Sequence, residues 1–211
     1  ALLSTEMDST EDIVKYIGEA RVQKIEILSP CINRSEKIFT PEGDRIRFGL
    51  GAIKGLGDSA IDAILESRKK HGMYVSLFDF CEKADLRKIN KKVLESCIKG
   101  GAFDCFAMNR AKMFASIEMV LEIAQKRAKE KQDGQGSFFD ILAKQEKGKK
   151  NSDERYAETF EEWNNLITLN YEKEVLGCYI SDHPLHGFSQ ILKSITHTTI
   201  RDLSTLSPNT A

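Results

Sequence analysis

The sequence of 211 residues predicts a mainly α-helical protein with a small N-terminal β-hairpin element. Two observations lead to this fold class. Apolar residues recur at the three- and four-residue spacing of one helix face through most of the chain. Strand-like alternation, by contrast, is confined to the residues on either side of one turn signal, PEGD at residues 41–44.

Bulk composition narrows the class of protein. Hydrophobic residues make up 41% of the chain and charged residues 30%, which is typical of a soluble, folded protein. No apolar run approaches the roughly 20 residues that span a bilayer, and no signal peptide is visible, so we expect a cytoplasmic protein without membrane contact. The chain opens on Ala1 rather than Met, which we interpret as a piece of something longer.

The five cysteines and four histidines do not form a metal-binding pattern. The cysteine count is odd and no two have CxxC spacing, so we expect reduced thiols rather than disulfides or a zinc site. His183 and His186 lie close together in the sequence, but Pro184 breaks the helical spacing between them. We therefore expect no cofactor in this chain.

The first fifty residues are predicted to contain a helix, a strand and the hairpin. Ser9 is a candidate N-cap for a helix over residues 9–20. The apolar stripe of this helix comprises Ile13, Val14, Ile17 and Ala20. A short strand over 24–30 and the hairpin over 37–50 follow.

The rest of the chain is predicted to be helical, with two linkers. Helices are predicted over residues 59–70, 90–101, 110–132, 160–180 and 183–195, with a short helix or turn over 76–84. Gly72 closes the first of these helices, and Asn109 caps the long one. Periodicity is lost over residues 131–154, which are rich in lysine and glycine, and the tail over 204–211 is interpreted as another linker.

Two glycine turns of one kind lie between the predicted helices. Ile53-Lys54-Gly55 and Ile98-Lys99-Gly100 each follow an apolar segment and precede a capped helix. This repeat is the pattern of a tandem helix-hairpin-helix domain. The second turn is the weaker match, because its loop is longer and Phe103 in that loop is expected in the core.

A glycine turn that leads into a helix can bind a phosphate. Glycine adopts positive φ and leaves its N–H groups uncovered, while the helix adds unpaired N–H groups and the positive end of its dipole. A lysine beside the turn adds a flexible charge. Such contacts hold the backbone of duplex DNA without reading its bases. The candidate DNA-binding residues are Lys54, Gly55, Leu56, Gly57, Ser59, Lys99, Gly100 and Gly101, with positive φ expected at Gly57.

These turns have two alternative interpretations. Each turn can simply join packed helices, and the lysine in the same place in both copies argues against that. A dinucleotide-binding GxGxxG loop is excluded, because Ala60 stands at the third glycine position and no βαβ unit follows.

Charge is unevenly distributed and favours a polyanion partner for the middle of the chain. Residues 45–150 hold 22 basic and 14 acidic side chains. Residues 1–44 hold 5 basic and 9 acidic side chains, and residues 151–211 hold 4 and 9. A basic middle between acidic ends is a weak signal, since lysine is common on helix surfaces.

The order of the motifs resembles the C-family DNA polymerases, the bacterial replicative polymerase III alpha subunits. The segments that carry the resemblance are LLSTEMDSTEDIV (2–14), LSPCINRSEKIF (28–39), IRFGLGAIKGLGDSAIDAILESRK (46–69), LFDFCEKADLRKINKKVLESCIKGGAFD (77–104) and EKEVLGCYISDHPL (172–185). The resemblance implies four parts: the end of the fingers with the hairpin (1–50), the tandem helix-hairpin-helix domain (51–130), a linker with a clamp-binding motif (131–154) and a helical connector to an absent OB domain (155–211).

The resemblance also implies what this chain lacks. Members of the family are DNA-directed DNA polymerases whose palm domain holds Mg²⁺ on aspartates, and the palm lies upstream of this segment. Two-metal nucleotidyl transfer needs carboxylates that hold two ions about 4 Å apart, and the acidic residues here occupy helix surfaces, caps and linkers. We expect the chain alone to be inactive and to contact the other replicase subunits only through the full-length protein.

An apolar island interrupts the lysine-rich linker at residues 134–140, GQGSFFD. Two adjacent phenylalanines either fold back on the domain or fill a pocket in a partner. The spacing of Gln135, Phe138 and Phe139 is similar to the family's internal motif for the sliding clamp (beta subunit), although Gly136 stands where an apolar residue is often found. The resemblance therefore implies clamp binding by these three residues.

Two other classes of function stay open at this point. A helix-hairpin-helix glycosylase would need a catalytic lysine or aspartate after the hairpin, and Asp79 and Asp85 are available. A protein-only adaptor would use the phenylalanine motif and ignore DNA. A base-excision assay and a DNA titration distinguish them from the polymerase interpretation.

Overall fold

The computed structural model describes residues 2–7, 9–132 and 160–195. Over these residues the chain is mainly helical with one small sheet, as the sequence predicts. The helices are α1 (Leu2–Thr5), α2 (Thr10–Val22), α3 (Asp58–His71), α4 (Leu77–Lys83), α5 (Lys91–Lys99), α6 (Arg110–Ala115), α7 (Ile117–Gln132), α8 (Asn165–Leu176) and α9 (Ser189–Ile195). Short 3₁₀ turns occupy Leu50–Ala52, Asp104–Phe106 and His186–Phe188. The tail predicted as a linker lies outside the described residues.

The sheet contains the predicted hairpin and the strand predicted over residues 24–30, which is shorter than expected. Strands β2 (Thr40–Glu42) and β3 (Arg45–Arg47) pair antiparallel around the PEGD turn, where Gly43 has a φ of +67°. Strand β1 (Ile27–Leu28) pairs parallel with β3, which places β3 in the centre of the sheet. The hairpin and the strand before it are confirmed, whereas the parallel pairing of β1 with β3 is a long-range contact that strand periodicity does not reveal.

Local capping signals account for where the helices begin. The hydroxyl of Ser9 accepts the N–H of Asp12 at 3.2 Å, and the Asn109 side chain accepts the N–H of Lys112 at 2.8 Å. Both predicted caps are confirmed. Val14 is an error in the predicted stripe of α2: it is 41% exposed because the buried face is formed by Ile13, Ile17 and Ala20.

Three of the predicted helices are shorter than expected. The helix predicted over 183–195 becomes α-helical only at Ser189, after the 3₁₀ turn His186–Phe188. The long helix over 110–132 divides at Ser116 into α6 and α7, and the Ser116 hydroxyl donates to the carbonyl of Lys112 at 2.8 Å. Such a side-chain bond competes with the regular backbone ladder and bends helices. The helix predicted over 160–180 begins only at Asn165, capped by Asn164, and ends at Gly177 with a φ of +79°.

One hydrophobic core joins the N-terminal segment to the glycine-turn helices and α8. Helix α4 packs on α7, and α5 packs on α6, α7 and α8. Edge-to-face ring contacts link Tyr74 to Phe80 and Phe80 to Phe103, with centroids 4.9 and 5.1 Å apart. This packing fixes both glycine turns relative to α5. Across the described residues no helix is both long and apolar enough to cross a bilayer.

Candidate nucleic-acid interface

The first glycine turn presents an exposed backbone in front of α3. Lys54, Gly55, Gly57 and Ser59 are all exposed, whereas Leu56 is only 7% exposed and packs into the core. The Lys54 N–H donates to the carbonyl of Val175 at 2.8 Å, which ties the turn to the end of α8. Leu56 therefore anchors the turn, and its neighbours face solvent.

Several N–H groups of this turn have no acceptor among the residues that the structure describes. Within the described residues, the amides of Gly55, Gly57 and Ser59 make no backbone or side-chain hydrogen bond, while the Gly57 carbonyl already accepts from Ala60 and Ile61. The N-terminus of a helix carries a partial positive charge. The turn and the first residues of α3 together form a concentration of donors that suits an anion.

Gly55, and not Gly57, supplies the unusual backbone conformation. Gly55 has a φ of +92°, whereas Gly57 has a φ of −80° and a ψ of 159° and acts as the N-cap of α3. The expectation of positive φ at Gly57 is therefore wrong. Gly57 has the extended conformation that an N-cap residue adopts. The residue with positive φ is therefore Gly55, two positions before the one expected.

Two residues beside the turn, Lys92 and Ser96, were not among the candidates predicted from the sequence. A Cβ built on Gly55 would lie 2.6 Å from the Ser96 Oγ and 3.8 Å from the Lys92 Cε. Both side chains come from α5, four residues apart and hence on one face. A lysine four residues ahead of a serine is too common a pattern to be recognised without the fold. Lys92 brings a second exposed cation to the first turn.

One acidic side chain lies at the same helix end. Asp58 is the first residue of α3, and its carboxylate lies 3.0 Å from the Lys37 Nζ. Both side chains are largely exposed, so the pair is screened by solvent. Lys37 partly offsets the negative charge that Asp58 places next to the free amides.

The second glycine turn has a different role in the fold. Gly100 and Gly101 are buried, and their N–H groups donate to the carbonyls of Ser96 at 3.0 Å and Ile98 at 3.1 Å. Gly101 has a φ of +78°, and a Cβ there would lie 2.4 Å from an Arg110 guanidinium nitrogen. These contacts match the helix-joining alternative, because no amide of these two glycines is left for a phosphate. DNA contact by this turn stays a prediction.

Lys99 is also engaged within the protein. Its Nζ lies 2.8 and 3.0 Å from the two carboxylate oxygens of Glu174 and 4.7 Å from the centroid of the Tyr171 ring. The side chain of Lys99 is 17% exposed. Lys54 and Lys99 occupy the same place in the repeat, yet only Lys54 extends into solvent.

Some of the other candidate residues lie in the described part of the chain, and others lie outside it. Asp79 pairs with Lys83 at 2.7 Å, and Asp85 is held by the Arg87 guanidinium, which lowers the pKa of the Asp85 carboxyl. Both carboxylates are therefore engaged in ion pairs within the fold. In the part of the chain that the structure describes, no cluster of three or more histidine, cysteine or acidic residues suits a metal ion. Gln135, Phe138 and Phe139 lie outside that part.

Comparison with known protein families assigns a motif to this region. Residues 24–113 match the family model described as a helix-hairpin-helix motif. The matched range encloses both glycine turns and the helices α3–α5 that carry them. The predicted helix-hairpin-helix fold is confirmed.

Similar curated proteins are DNA polymerase III alpha subunits. The chain is 34% identical over 210 residues to that of Pasteurella multocida, covering 99% of this chain and 18% of the relative. It is 35% identical over 196 residues to that of Borreliella burgdorferi, covering 93% and 17%. It is 39% identical over 191 residues to that of Chlamydia pneumoniae, covering 88% and 15%. The chain thus spans less than a fifth of the length of these relatives.

Proposed function

The chain belongs to the DNA polymerase III alpha-subunit family, and we propose that it gives such a polymerase a sequence-independent hold on the backbone of duplex DNA. The observation that carries this proposal is the first glycine turn, whose exposed amides at Gly55, Gly57 and Ser59 have no acceptor among the described residues. Lys54 and Lys92 flank the same turn and are exposed.

The contact proposed is with one or two phosphates of a duplex. Backbone amides and lysines bind phosphate oxygens in any sequence, since they do not reach the base edges. The amides supply fixed donors at the positive end of α3, and the two lysines supply mobile charges. The contribution of the second turn is smaller, because Lys99 is paired with Glu174.

The activity of the whole protein is proposed from the family. The parent enzyme carries out template-directed DNA synthesis as a cytoplasmic, DNA-directed DNA polymerase, with Mg²⁺ held by a palm domain elsewhere in its chain. This chain alone does not polymerise, and it meets the other replicase subunits as part of the parent protein. Its role is to hold DNA that has left the site of nucleotide addition.

The linker is proposed to bind the sliding clamp. The support is compositional: Phe138 and Phe139 are adjacent apolar residues in a polar, lysine-rich segment, and Gln135 precedes them at the spacing of the family's clamp motif. Apolar side chains in such a segment gain most when a partner removes them from water.

A salt titration tests the DNA proposal. A short fluorescent duplex is titrated with the chain at several salt concentrations, and anisotropy gives the dissociation constant. Contact with roughly one or two phosphates predicts a slope of about −1 to −2 in log K against log salt. Two duplexes of equal length and different sequence should bind equally. Binding that ignores salt, or a tenfold sequence preference, contradicts the proposal; no binding at all favours the protein-only adaptor.

A further inference from the structure

Two of the five cysteines lie next to each other although they are far apart in the sequence. Cys31 follows β1, and Cys105 lies in the 3₁₀ turn after the second glycine turn. The Cys105 sulfur lies 3.6 Å from the side-chain nitrogen of Asn33, two residues along the chain from Cys31, and each of the two thiols shifts the pKa of the other. Cys105 is exposed and Cys31 is partly exposed, so small solutes reach this pair.

Backbone contacts hold the two segments together independently of the thiols. The Ile32 N–H donates to the carbonyl of Ala102 at 2.8 Å, one residue from Cys31 and three from Cys105. The Asn33 side-chain amide donates to the Tyr74 carbonyl at 2.7 Å and contacts the Cys105 sulfur at 3.6 Å. The segments that carry the two cysteines are therefore held side by side by a fixed scaffold.

The loop that carries Cys31 is itself anchored. The Cys31 N–H donates to the Ser35 hydroxyl at 2.9 Å, and that hydroxyl donates to the Phe48 carbonyl at 2.7 Å. Ser35 is fully buried. Because this loop is fixed at both the backbone and the serine, the thiol pair does not arise from a chance approach of two mobile segments.

The electrostatic surroundings make one thiol reactive. The neighbouring Cys105 thiol, together with the N–H groups of Asn33 and Arg34 and the charge of Arg47, lowers the pKa of Cys31 to about 6, against the opposing effect of burial. The pKa of Cys105 is raised by its partner. A thiolate is the nucleophilic form of cysteine, so Cys31 is the attacking group at neutral pH.

The remaining three cysteines differ from this pair. Cys81, Cys97 and Cys178 are buried, and burial raises the pKa of each thiol. Buried protonated thiols are unreactive toward disulfides. Only Cys31 and Cys105 combine access, proximity and a thiolate among the cysteines of this chain.

We propose that Cys31 and Cys105 are a reversible redox pair that a low-molecular-mass disulfide converts into an intramolecular disulfide. The Cys31 thiolate attacks one sulfur of the small disulfide, which breaks that bond and releases one small thiol. The Cys105 thiolate, formed as its proton leaves to solvent, then attacks the Cys31 sulfur and releases the second small thiol. Two electrons pass from the protein to the small disulfide, and the two released thiolates take up the two protons.

The expected consequence is a covalent lock between the loop after β1 and the second glycine turn. A cross-link between residues this far apart removes many conformations from the unfolded chain, so it stabilises the native state if the native geometry accepts it. The lock lies away from the first glycine turn: Arg68, near the far end of the 14-residue α3, contacts the Cys31 loop through the carbonyls of Ile32 and Ser35. It is thus independent of the DNA proposal.

The test uses the reduced chain and oxidised glutathione. After oxidation, denaturation and thiol titration should find three reactive thiols where the reduced chain has five. Intact mass should fall by two hydrogen atoms, and proteolysis should yield one linked peptide that joins Cys31 to Cys105. The melting temperature should rise by about 5–15 °C and return on reduction. Affinity for duplex DNA should stay within about twofold, because the lock is remote from the phosphate-binding amides.

Single variants separate the two steps. Cys105→Ser should stop at a glutathione adduct on Cys31, whereas Cys178→Ala, which removes a buried thiol outside the pair, should still lose two thiols on oxidation. The proposal is overturned if the parent chain keeps all five thiols, if the linked peptide contains another cysteine, if it forms only between two chains, or if the disulfide forms without raising the melting temperature.

Discussion

A Cβ atom on Gly55 would lie 2.6 Å from the hydroxyl oxygen of Ser96, which belongs to the helix that leads into the other glycine turn. Gly55 also has a φ of +92°. The backbone conformation thus disfavours an ordinary side chain at this position, and the Ser96 hydroxyl would have to move to make room for one. Two residues later, Gly57 has a φ of −80°, and a Cβ atom there would have no heavy atom within 4 Å. The two glycines of one turn therefore have different structural requirements.

Serine substitutions at the two glycines should have opposite effects on stability. Gly55→Ser should lower the free energy of unfolding by about 2–4 kcal/mol, through backbone strain and the collision with Ser96. Gly57→Ser should raise it by about 0.3 kcal/mol, because serine is a better N-cap residue than glycine. Urea unfolding of both variants and the parent chain measures the difference. Equal losses would contradict the assignment of the left-handed step to Gly55.

Glutamine substitutions at the two lysines of the repeat should affect DNA binding unequally. Lys54→Gln should reduce the salt slope by about 1, because an exposed cation no longer neutralises a phosphate. Lys99→Gln should leave the slope unchanged, since Lys99 already pairs with Glu174. The two variants are matched in chemistry, and circular dichroism checks that both are folded. An equal change in slope would show that the second turn also contacts DNA.

The different roles of Lys54 and Lys99 illustrate what the sequence can and cannot predict. The caps at Ser9 and Asn109 and the turn at Gly43 depend on residues within four positions, and local patterns predict them. The partner of Lys99 lies 75 residues away at Glu174. No local pattern shows that contact, so Ile53-Lys54-Gly55 and Ile98-Lys99-Gly100 look equivalent in the sequence and differ in the fold.

The sequence also does not predict which residues at the edge of a helix face are buried, or where a long helix divides. Val14 is apolar and adjacent to Ile13, so periodicity alone assigns both to the buried stripe. The core contacts only one side of α2, and Val14 falls on its margin at 41% exposure. The split at Ser116 is similar: the apolar pattern continues through it, and the hydrogen bond to Lys112 that divides the helix involves a residue type common in helices.

Removing the Arg110 side chain should destabilise the fold more than any exposed charge change. Arg110 bonds Asp104 through two nitrogens and lies 3.2 Å from Glu172, whose carboxylate is 1% exposed. Arg110→Met leaves that buried carboxylate without its cation, and the expected loss is about 3–5 kcal/mol in urea unfolding. Asp104→Asn is the matched control. It keeps the Arg110–Glu172 pair and should cost about 1 kcal/mol. Similar losses would argue against a dominant buried pair.

Asp182 should remain ionised in mild acid because of its neighbours. The hydrogen bond from His186, with those from the His183 N–H and Asn165, lowers the pKa of Asp182 to about 2. Its ordinary value is 3.8, so between these values the folded chain binds fewer protons than the unfolded chain. The resulting stability is present above about pH 4 and is lost as pH falls through about 2.

The measurement for Asp182 is the carboxyl-carbon chemical shift at pH 3.8, the ordinary pKa. In the parent chain the Asp182 carboxyl should be mostly ionised. In His186→Gln a clearly larger fraction of this carboxyl should be protonated. Asn165→Ala removes a lesser contribution and should produce a smaller change. If His186→Gln leaves the shift at its parent value, the contact between His186 Nδ1 and Asp182 Oδ1 at 2.7 Å does not control this carboxyl group.

The clamp proposal predicts weak binding that depends on two phenylalanines. Burial of Phe138 and Phe139 should contribute about 2–3 kcal/mol each, and a hydrogen bond from Gln135 about 1 kcal/mol. Ordering the peptide on the clamp offsets part of this, so the dissociation constant should be micromolar or weaker. Weak binding is sufficient for a polymerase. When the polymerase and the clamp are both on the same DNA, the DNA keeps the clamp close to the motif and raises its effective concentration there.

Calorimetry of the chain against a cognate sliding clamp measures this interaction. Replacing both Phe138 and Phe139 by alanine should abolish the heat of binding, whereas Lys54→Gln should leave it intact, because the clamp motif and the first glycine turn are separate contacts. Urea unfolding of the double variant provides the control. If that variant is destabilised by several kcal/mol, the two rings belong to the core of this chain; if it binds as tightly as the parent, another segment contacts the clamp. Either result would contradict the proposed motif.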